Sequence, residues 1–152
     1  MSGTLKRILL AEDSPEDVEL TLAALGEHHL ASEVVVVGDG VEALDYLHRR
    51  GGFRDRAPGN PTVVLLDLKM PRLDGLEVLR DMKEDEKLRS IPVVMLTSSR
   101  EESDIVESYQ LGVNAYVVKP VVFQEFVDVV KNLGLFWAVL NEPPPGSPRK
   151  AA

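Results

Sequence analysis

The sequence predicts an α/β fold in which helices cover both faces of a five-stranded parallel sheet. Five short runs of aliphatic residues recur along the chain, each of a length that suits a buried strand. Segments with apolar residues at helical spacing lie between these runs. Strands that alternate with helices are typical of parallel sheets with right-handed crossovers.

Composition limits the classes of protein that the chain can belong to. Its 152 residues are 44% hydrophobic and 28% charged, which is enough apolar material for the core of one soluble domain. The formal net charge is −8 and no run of Lys or Arg is present, so no nucleic-acid partner is expected. There is no cysteine, which excludes disulfides and thiolate metal sites. Because we find neither a membrane span of about 20 residues nor a signal peptide, we expect a cytoplasmic protein without a membrane partner.

The first predicted strand, Ile8–Ala11, ends at the acids Glu12 and Asp13. A helix follows, because Ser14 suits an N-cap and Pro15 suits the first helical position. The apolar stripe of this helix consists of Val18, Thr21, Leu22 and Leu25.

The second strand is predicted at Val34–Val37 from its β-branched residues, and glycines at 38 and 40 close it. The segment Gly51–Pro61 contains two adjacent glycines and two prolines, which indicates a loop. The third strand begins at Val63 and ends on Asp67, so that carboxylate lies at the carboxyl end of a buried strand. The helix between the second strand and the loop presents Val41, Ala43, Leu44 and Leu47 to the core.

The remaining elements follow the same alternation. Asp74-Gly75 marks a helix start, Val93–Leu96 is a strand that ends at Thr97, and Ala115–Val118 is a strand that ends at Lys119. The helix before the fifth strand is predicted to turn one face inward and to end at a glycine C-cap. The last helix is predicted to run from near position 122 to about 133. The residues that define these helices are Leu76, Leu79 and Met82, then Ile105, Val106, Tyr109 and Gly112, and finally Phe126, Val130 and Leu133.

Among doubly wound arrangements we choose the flavodoxin-like strand order 2-1-3-4-5, which places the first and third strands side by side. Glu12, Asp13 and Asp67 then share the crevice at the carboxyl ends of the strands. Like charges this close raise each other's pKa and favour a divalent cation, and an oxygen-rich site with few ligands suits Mg²⁺. Thr97 adds a hydroxyl and Lys119 an ammonium, and such a set can receive a phosphoryl group.

Each of these features alone is more often structural. An acid at a strand end commonly caps a helix, and a lysine before a proline is commonly solvated. Their occurrence at successive strand ends in a consistent order is what indicates one site. The motifs resemble those of the receiver domain of two-component response regulators, over about residues 5 to 133. The residues that carry the resemblance are Glu12-Asp13, Asp67 in Leu-Asp-Leu-Lys-Met-Pro, Asp74-Gly75, Thr97-Ser98, Tyr116 and Lys119-Pro120.

The resemblance implies that Asp67 is phosphorylated by the phosphohistidine of a sensor histidine kinase and that the chain is not itself an enzyme. It also implies a cis peptide bond before Pro120. Thr97 and Lys119 would bind the phosphoryl oxygens, and Tyr116 would report the phosphorylation state by its rotamer together with Thr97. The ligands that the resemblance implies for Mg²⁺ are Asp13, Asp67, Glu12 through water and the backbone carbonyl of Lys69.

Two segments narrow the resemblance further. The long Gly51–Pro61 loop and the end Leu133–Trp137 are similar to single-domain regulators that partner bacterial phytochrome kinases. The departure at Lys69, where asparagine is usual, puts the lifetime of the phosphate in question rather than metal binding. About twenty residues follow Leu133, so we expect a stand-alone receiver in residues 1–140 with a flexible proline-rich tail in 141–152 and no DNA-binding output domain.

Two alternatives from other classes stay open. A Mg²⁺-dependent phosphohydrolase would use Asp67 as nucleophile but would need a second acid at position 69. A flavin binder would need a phosphate loop where the chain has Glu12, Asp13, Glu16 and Asp17.

The C-terminal helix predicts a homodimer, because it has more apolar positions than one core-facing stripe requires. The alternative is that the C-terminal extension of this helix folds back over its own sheet. The apolar residues concerned are Phe123, Phe126, Val127, Val129, Val130 and Leu133, with Leu135, Phe136, Trp137, Val139 and Leu140 beyond them.

Overall fold

The computed structural model describes residues 7–26, 33–98 and 101–135. Five strands alternate with five helices, and a short 3-10 helix, Gly51–Phe53, lies in the loop that was predicted between the second helix and the third strand. The elements are β1 (Arg7–Ala11), α1 (Pro15–Leu25), β2 (Glu33–Val37), α2 (Gly40–His48), β3 (Val63–Asp67), α3 (Gly75–Glu84), β4 (Val93–Thr97), α4 (Glu102–Gln110), β5 (Ala115–Val118) and α5 (Phe123–Asn132).

The five strands form one parallel sheet in the order β2-β1-β3-β4-β5, which confirms the predicted topology. The strands are in register close to their carboxyl ends: Ala11 pairs with Leu66, and Thr97 pairs with Val118. The residues that follow each strand therefore meet at one edge of the sheet. None of the helices in the described ranges is long and apolar enough to span a membrane.

The core consists of two apolar clusters, one on each face of the sheet. Alternate residues of a strand point to opposite faces, so Leu9 packs with α2 and α3 while its neighbour Leu10 packs with α1 and α5. Every residue of β1, β3 and β4 is buried. Complete burial of the central strands is typical of a parallel sheet that is covered on both sides, and it holds the strand ends rigidly in place.

Side-chain caps fix where the helices begin beside the sheet. The Ser14 hydroxyl accepts from the Asp17 backbone N–H at 3.2 Å and starts α1 as predicted. Asp74 starts α3 with a reciprocal capping box that it forms with Glu77. Gly75 allows α3 to begin directly against β3, since a Cβ there would lie 2.4 Å from the Asp67 carbonyl oxygen.

The structure corrects the predicted inward face of α4. Val106 and Tyr109 are 47% and 51% exposed, whereas Ser108 is completely buried. The Ser108 hydroxyl donates to the Asp104 carbonyl at 2.8 Å, so its burial leaves no donor unsatisfied. Gly112 follows this helix with φ +97, and its N–H donates to the Tyr109 carbonyl, as a C-terminal glycine should.

Most of the apolar positions that the sequence predicts on α5 pack against the helix's own side of the sheet. Phe126, Val127 and Val130 are buried, and Val129, Leu133 and Leu135 pack against the same cluster. The exposed apolar side chains at the start of this helix are Val122 and Phe123. The α5 stripe therefore covers the helix's own sheet. The predicted contribution of residues 136–140 to a dimer, and the predicted tail at 141–152, lie outside the described residues.

Candidate functional site

Three predicted acids meet at the carboxyl edge of the sheet. Asp67 ends β3 and is 5% exposed, and Glu12 follows β1 and is 3% exposed, while Asp13 lies at the surface. One carboxylate oxygen from each residue lies within 4.8 Å of the others. Three carboxylates this close form a site that could hold a divalent metal ion, because hard cations prefer oxygen ligands.

Lys119 reaches into this acidic cluster from the end of β5. Its peptide bond to Pro120 is cis, as predicted, and its backbone N–H donates to the Thr97 carbonyl at 2.8 Å. The ammonium Nζ lies 2.5 Å from Glu12 Oε1, 3.0 Å from Asp17 Oδ2 and 3.5 Å from Asp67 Oδ2. One cation therefore contacts three carboxylates.

Thr97 and Tyr116 lie on the adjacent strands β4 and β5. Thr97 ends β4 and is completely buried. Tyr116 precedes Val118, the register partner of Thr97, by two residues, so the Thr97 and Tyr116 side chains lie on the same face of the sheet. Tyr116 is half-buried and packs against the cluster that contains α2 and α3.

Burial and like charge raise the pKa of the Asp67 carboxyl to about 7. Burial is the larger cause and the Glu12 charge the second, while Lys119 and the hydrogen bond from the Lys69 backbone oppose them. Burial alone would lower the pKa of Lys119, but its hydrogen bonds to Glu12 and Asp17 and the Asp67 charge outweigh burial and raise that pKa. The lysine is therefore a permanent cation, while the protonation of Asp67 responds to its surroundings.

Sequence reasoning placed Lys69 beside the cluster, and the structure puts its side chain at the surface immediately after Asp67 and Leu68. Its backbone bonds to the Asp67 carboxylate. The role of its carbonyl as a metal ligand stays a prediction.

Sequence reasoning named Asp17 among the acids that oppose a phosphate loop and did not predict it as a partner of Lys119. The structure shows that Asp17 is a direct partner of Lys119. Its position one helical turn after Asp13 was the available signal, because α1 begins at the edge of the sheet where the acids gather.

The topology and the strand-end residues are those of a receiver. Residues 8–131 match the family model of the response regulator receiver domain, and the chain belongs to this family.

Among its relatives, Response regulator Rcp1 from Synechocystis sp. is 37% identical over 136 residues, which cover 90% of this chain and 91% of Rcp1. A solved structure of Rcp1, in its Mn²⁺-bound form, matches with a TM-score of 0.71 at 36% identity and covers 87% of this chain and 94% of Rcp1.

Two further solved structures are similar. The bacteriophytochrome response regulator RtBRR is 63% identical with a TM-score of 0.80, over 95% of this chain and 87% of RtBRR. The phosphorylated cyanobacterial phytochrome response regulator RcpA is 40% identical with a TM-score of 0.73, over 89% of this chain and 95% of RcpA. The chain is therefore a response regulator receiver whose relatives include phytochrome-linked regulators, and a receiver implies a histidine kinase partner.

Proposed function

We propose that Asp67 accepts a phosphoryl group from the phosphohistidine of a sensor histidine kinase, in a reaction that requires Mg²⁺. The observation that carries this proposal is the position of Asp67 itself. Its carboxylate is buried at a strand end, among two further acids and with the Lys119 ammonium at 3.5 Å. A carboxylate held in this way is a nucleophile beside the cation that its product needs.

In the proposed reaction an Asp67 carboxylate oxygen attacks phosphorus. The P–N bond to the kinase histidine breaks, and its electron pair stays on the imidazole nitrogen. The product is an acyl phosphate on Asp67 and a neutral or protonated histidine on the kinase. The Lys119 ammonium and the Thr97 hydroxyl donate hydrogen bonds to the phosphoryl oxygens. In this role the chain is a phospho-acceptor that is changed by the reaction, not an enzyme that turns over.

Asp13 and Asp67 would hold Mg²⁺ directly, Glu12 through water and Lys69 through its carbonyl. When bound, the ion neutralises charge on the phosphoryl oxygens. The residues fit such an ion, since three carboxylate oxygens converge and Asp67 is buried near like charge. The Mn²⁺-bound form of the relative Rcp1 supports a divalent metal in this family.

The names of RtBRR and RcpA support a phytochrome-type kinase as the partner, and the phosphorylated form of RcpA supports phosphorylation. We propose that phosphorylation draws the Thr97 hydroxyl toward the phosphate and changes the packing of Tyr116 on the same face of the sheet. Association of two copies through the C-terminal helix stays a prediction, as does a location in the cytoplasm.

Labelling with a small phosphodonor tests the proposal. Wild-type protein incubated with ³²P-acetyl phosphate should be labelled with Mg²⁺ and not with EDTA. Asp67→Asn keeps the volume of the side chain and should abolish labelling. Asp13→Asn should require more Mg²⁺ for the same label. The matched control is Asp55→Asn, which removes an exposed loop carboxylate and should label as the wild type does. Labelling of Asp67→Asn at the wild-type level would show that the acceptor is another residue.

A further inference from the structure

We infer that Asp17 is a positioning residue that restrains the Lys119 ammonium before phosphorylation. By doing so it lowers the rate at which the site takes up a phosphoryl group. This inference rests on the proposed function, because it concerns the lysine that would bind the phosphoryl oxygens.

The distances around Lys119 point to this role. Its Nζ lies 2.5 Å from Glu12 and 3.0 Å from Asp17, but 3.5 Å from the proposed acceptor Asp67. An ammonium has three N–H donors. The two shorter contacts are both with acids that would not carry the phosphate, so Lys119 is bound more closely by its neighbours than by the acceptor.

Hydrogen bonds from backbone N–H groups to side-chain oxygens fix the backbone of Asp17 relative to Glu12. The Ser14 backbone N–H donates to Glu12 Oε2 at 3.2 Å, and the Ser14 hydroxyl accepts from the Asp17 backbone N–H at 3.2 Å. These two bonds join the end of β1 to the first turn of α1. The backbone of Asp17 is thus held by the same local structure that holds the Glu12 carboxylate.

Asp17 is also the partner that Lys119 can most easily release. Its side chain is 39% exposed, against 2% for Glu12 and 7% for Asp67. A surface cavity of about 340 Å³ is bordered by both Asp17 and Lys119, so water can replace the ammonium at the Asp17 carboxylate. A buried carboxylate that lost its cation would have no such replacement. We therefore expect Lys119 to leave Asp17 when a phosphoryl group arrives on Asp67.

Removal of the Asp17 carboxylate should free Lys119 and reduce the negative charge that an incoming phosphoryl group meets. Partly exposed ion pairs have modest energies, so the expected gain is about two- to fivefold. Asp17→Asn should be labelled by acetyl phosphate that much faster than the wild type, and should bind beryllofluoride, a non-covalent phosphoryl mimic, that much more tightly. Both measurements are made at saturating Mg²⁺, so that a change in metal affinity does not enter.

Glu16→Gln is the matched control, because it removes one exposed carboxylate from the same helical turn. It should leave both measurements unchanged. Asp17→Glu restores the charge at this position and should return the labelling rate toward the wild-type value. Thermal unfolding of all three variants shows whether they are folded alike.

A readout without phosphate separates the inference from the proposed function. In metal-free protein, the ¹⁵N-detected signal of the Lys119 ammonium should shift, and its protons should exchange faster with solvent, in Asp17→Asn but not in Glu16→Gln. If the wild type takes neither label nor beryllofluoride, the proposed function fails while this signal still tests the contact. If the wild type is labelled and Asp17→Asn is no faster than Glu16→Gln, Asp17 does not restrain Lys119 and the inference is overturned.

Discussion

Strand β1 has a buried charged residue at each end, and the two are stabilised in opposite ways. At its start Arg7 is 6% exposed, and its guanidinium donates to the backbone carbonyls of Ala57, Pro58 and Gly59 at 3.2, 3.0 and 3.0 Å. Just after its end Glu12 is 3% exposed and lies among other carboxylates around one ammonium. The Arg7 charge lies among neutral carbonyl dipoles, whereas the Glu12 charge lies beside one ammonium and beside other carboxylates that repel it.

The difference separates an end that is held by hydrogen bonds to the backbone from an end that could hold a metal ion. Arg7 joins the loop before β3 to the sheet. The guanidinium carbons of Arg7 and Arg56 lie 6.0 Å and 4.2 Å from the centroid of the Tyr46 ring. Within the described residues, Arg7 Nε and the Tyr46 hydroxyl are buried there without a hydrogen-bond partner. At the opposite end the acids raise the pKa of Asp67, and a cation would relieve their repulsion.

The largest effect is expected from removing the hydrogen bonds of the Arg7 side chain. Arg7→Met keeps most of the side chain's volume but removes the donors of three hydrogen bonds. The Ala57 and Gly59 carbonyls keep hydrogen bonds from Arg56 Nη1 at 2.7 and 3.0 Å, while the Pro58 carbonyl loses its Arg7 donor. We expect the free energy of unfolding to fall by about 3 kcal/mol, from values typical of lost bonds to a buried charged group. Urea denaturation measures it. The control Arg54→Met replaces an exposed arginine of the same loop and should change stability little; equal losses in the two variants would contradict the role of Arg7.

These two ends also differ in how far the sequence predicts them. The acidic end was predictable because each site residue follows an apolar run, and parallel strands bring their carboxyl ends together. Arg7 precedes the first apolar run and is typical of a solvated residue, and its carbonyl partners lie 50 to 52 positions away. Backbone carbonyls have no signature in the sequence, so such a contact can be found only in the structure.

The roles of two other residues could not be predicted, for related reasons. Asp17 is an acid of the kind that commonly begins a helix, and its contact with Lys119, which is 102 positions away, depends on tertiary structure. Ser108 is polar by type, and its burial depends on a hydrogen bond within its own helix. Periodicity of apolar residues therefore located the elements, but it did not locate polar side chains whose partners are set by tertiary structure or by the backbone.

The next largest effect is expected from removing the Asp67 charge at the acidic end. In metal-free protein Asp67→Asn should raise the free energy of unfolding at pH 8 by about 2 kcal/mol, because it removes a buried charge next to Glu12, while the lost attraction to Lys119 offsets part of the gain. The pKa of Asp67 is raised to about 7 in the folded state from an ordinary value of 3.8, so the folded protein binds this proton more tightly than the unfolded chain. Its contribution to stability is complete below about pH 4 and is lost as the pH rises toward 7.

The advantage of the Asn variant should therefore shrink as the pH falls from 8 to 5. Denaturation in EDTA at both pH values measures it, with Asp55→Asn as the exposed-acid control. Addition of Mg²⁺ should stabilise the wild type more than Asp67→Asn, because an ion that binds only the folded state raises its stability by mass action. A variant that is less stable than the wild type at pH 8 in EDTA would show that Asp67 is not strained by its neighbours.

The smallest effect is expected at the Tyr46 hydroxyl, on the ring that both arginines approach. Tyr46 is 3% exposed, and within the described residues its buried hydroxyl has no hydrogen-bond partner, while its ring packs edge-on against Phe53 at 5.3 Å. If the ring rather than the hydroxyl stabilises the Arg7 end, Tyr46→Phe should change the free energy of unfolding by less than about 0.5 kcal/mol, since an unsatisfied polar group contributes nothing favourable. Tyr46→Leu removes both the cation–π and the edge-on contacts and should cost about 1–3 kcal/mol. Urea denaturation measures the stability of both variants. If Tyr46→Phe loses as much stability as Tyr46→Leu, the hydroxyl is needed. The arginine end would then depend on a polar contact, as the acidic end does.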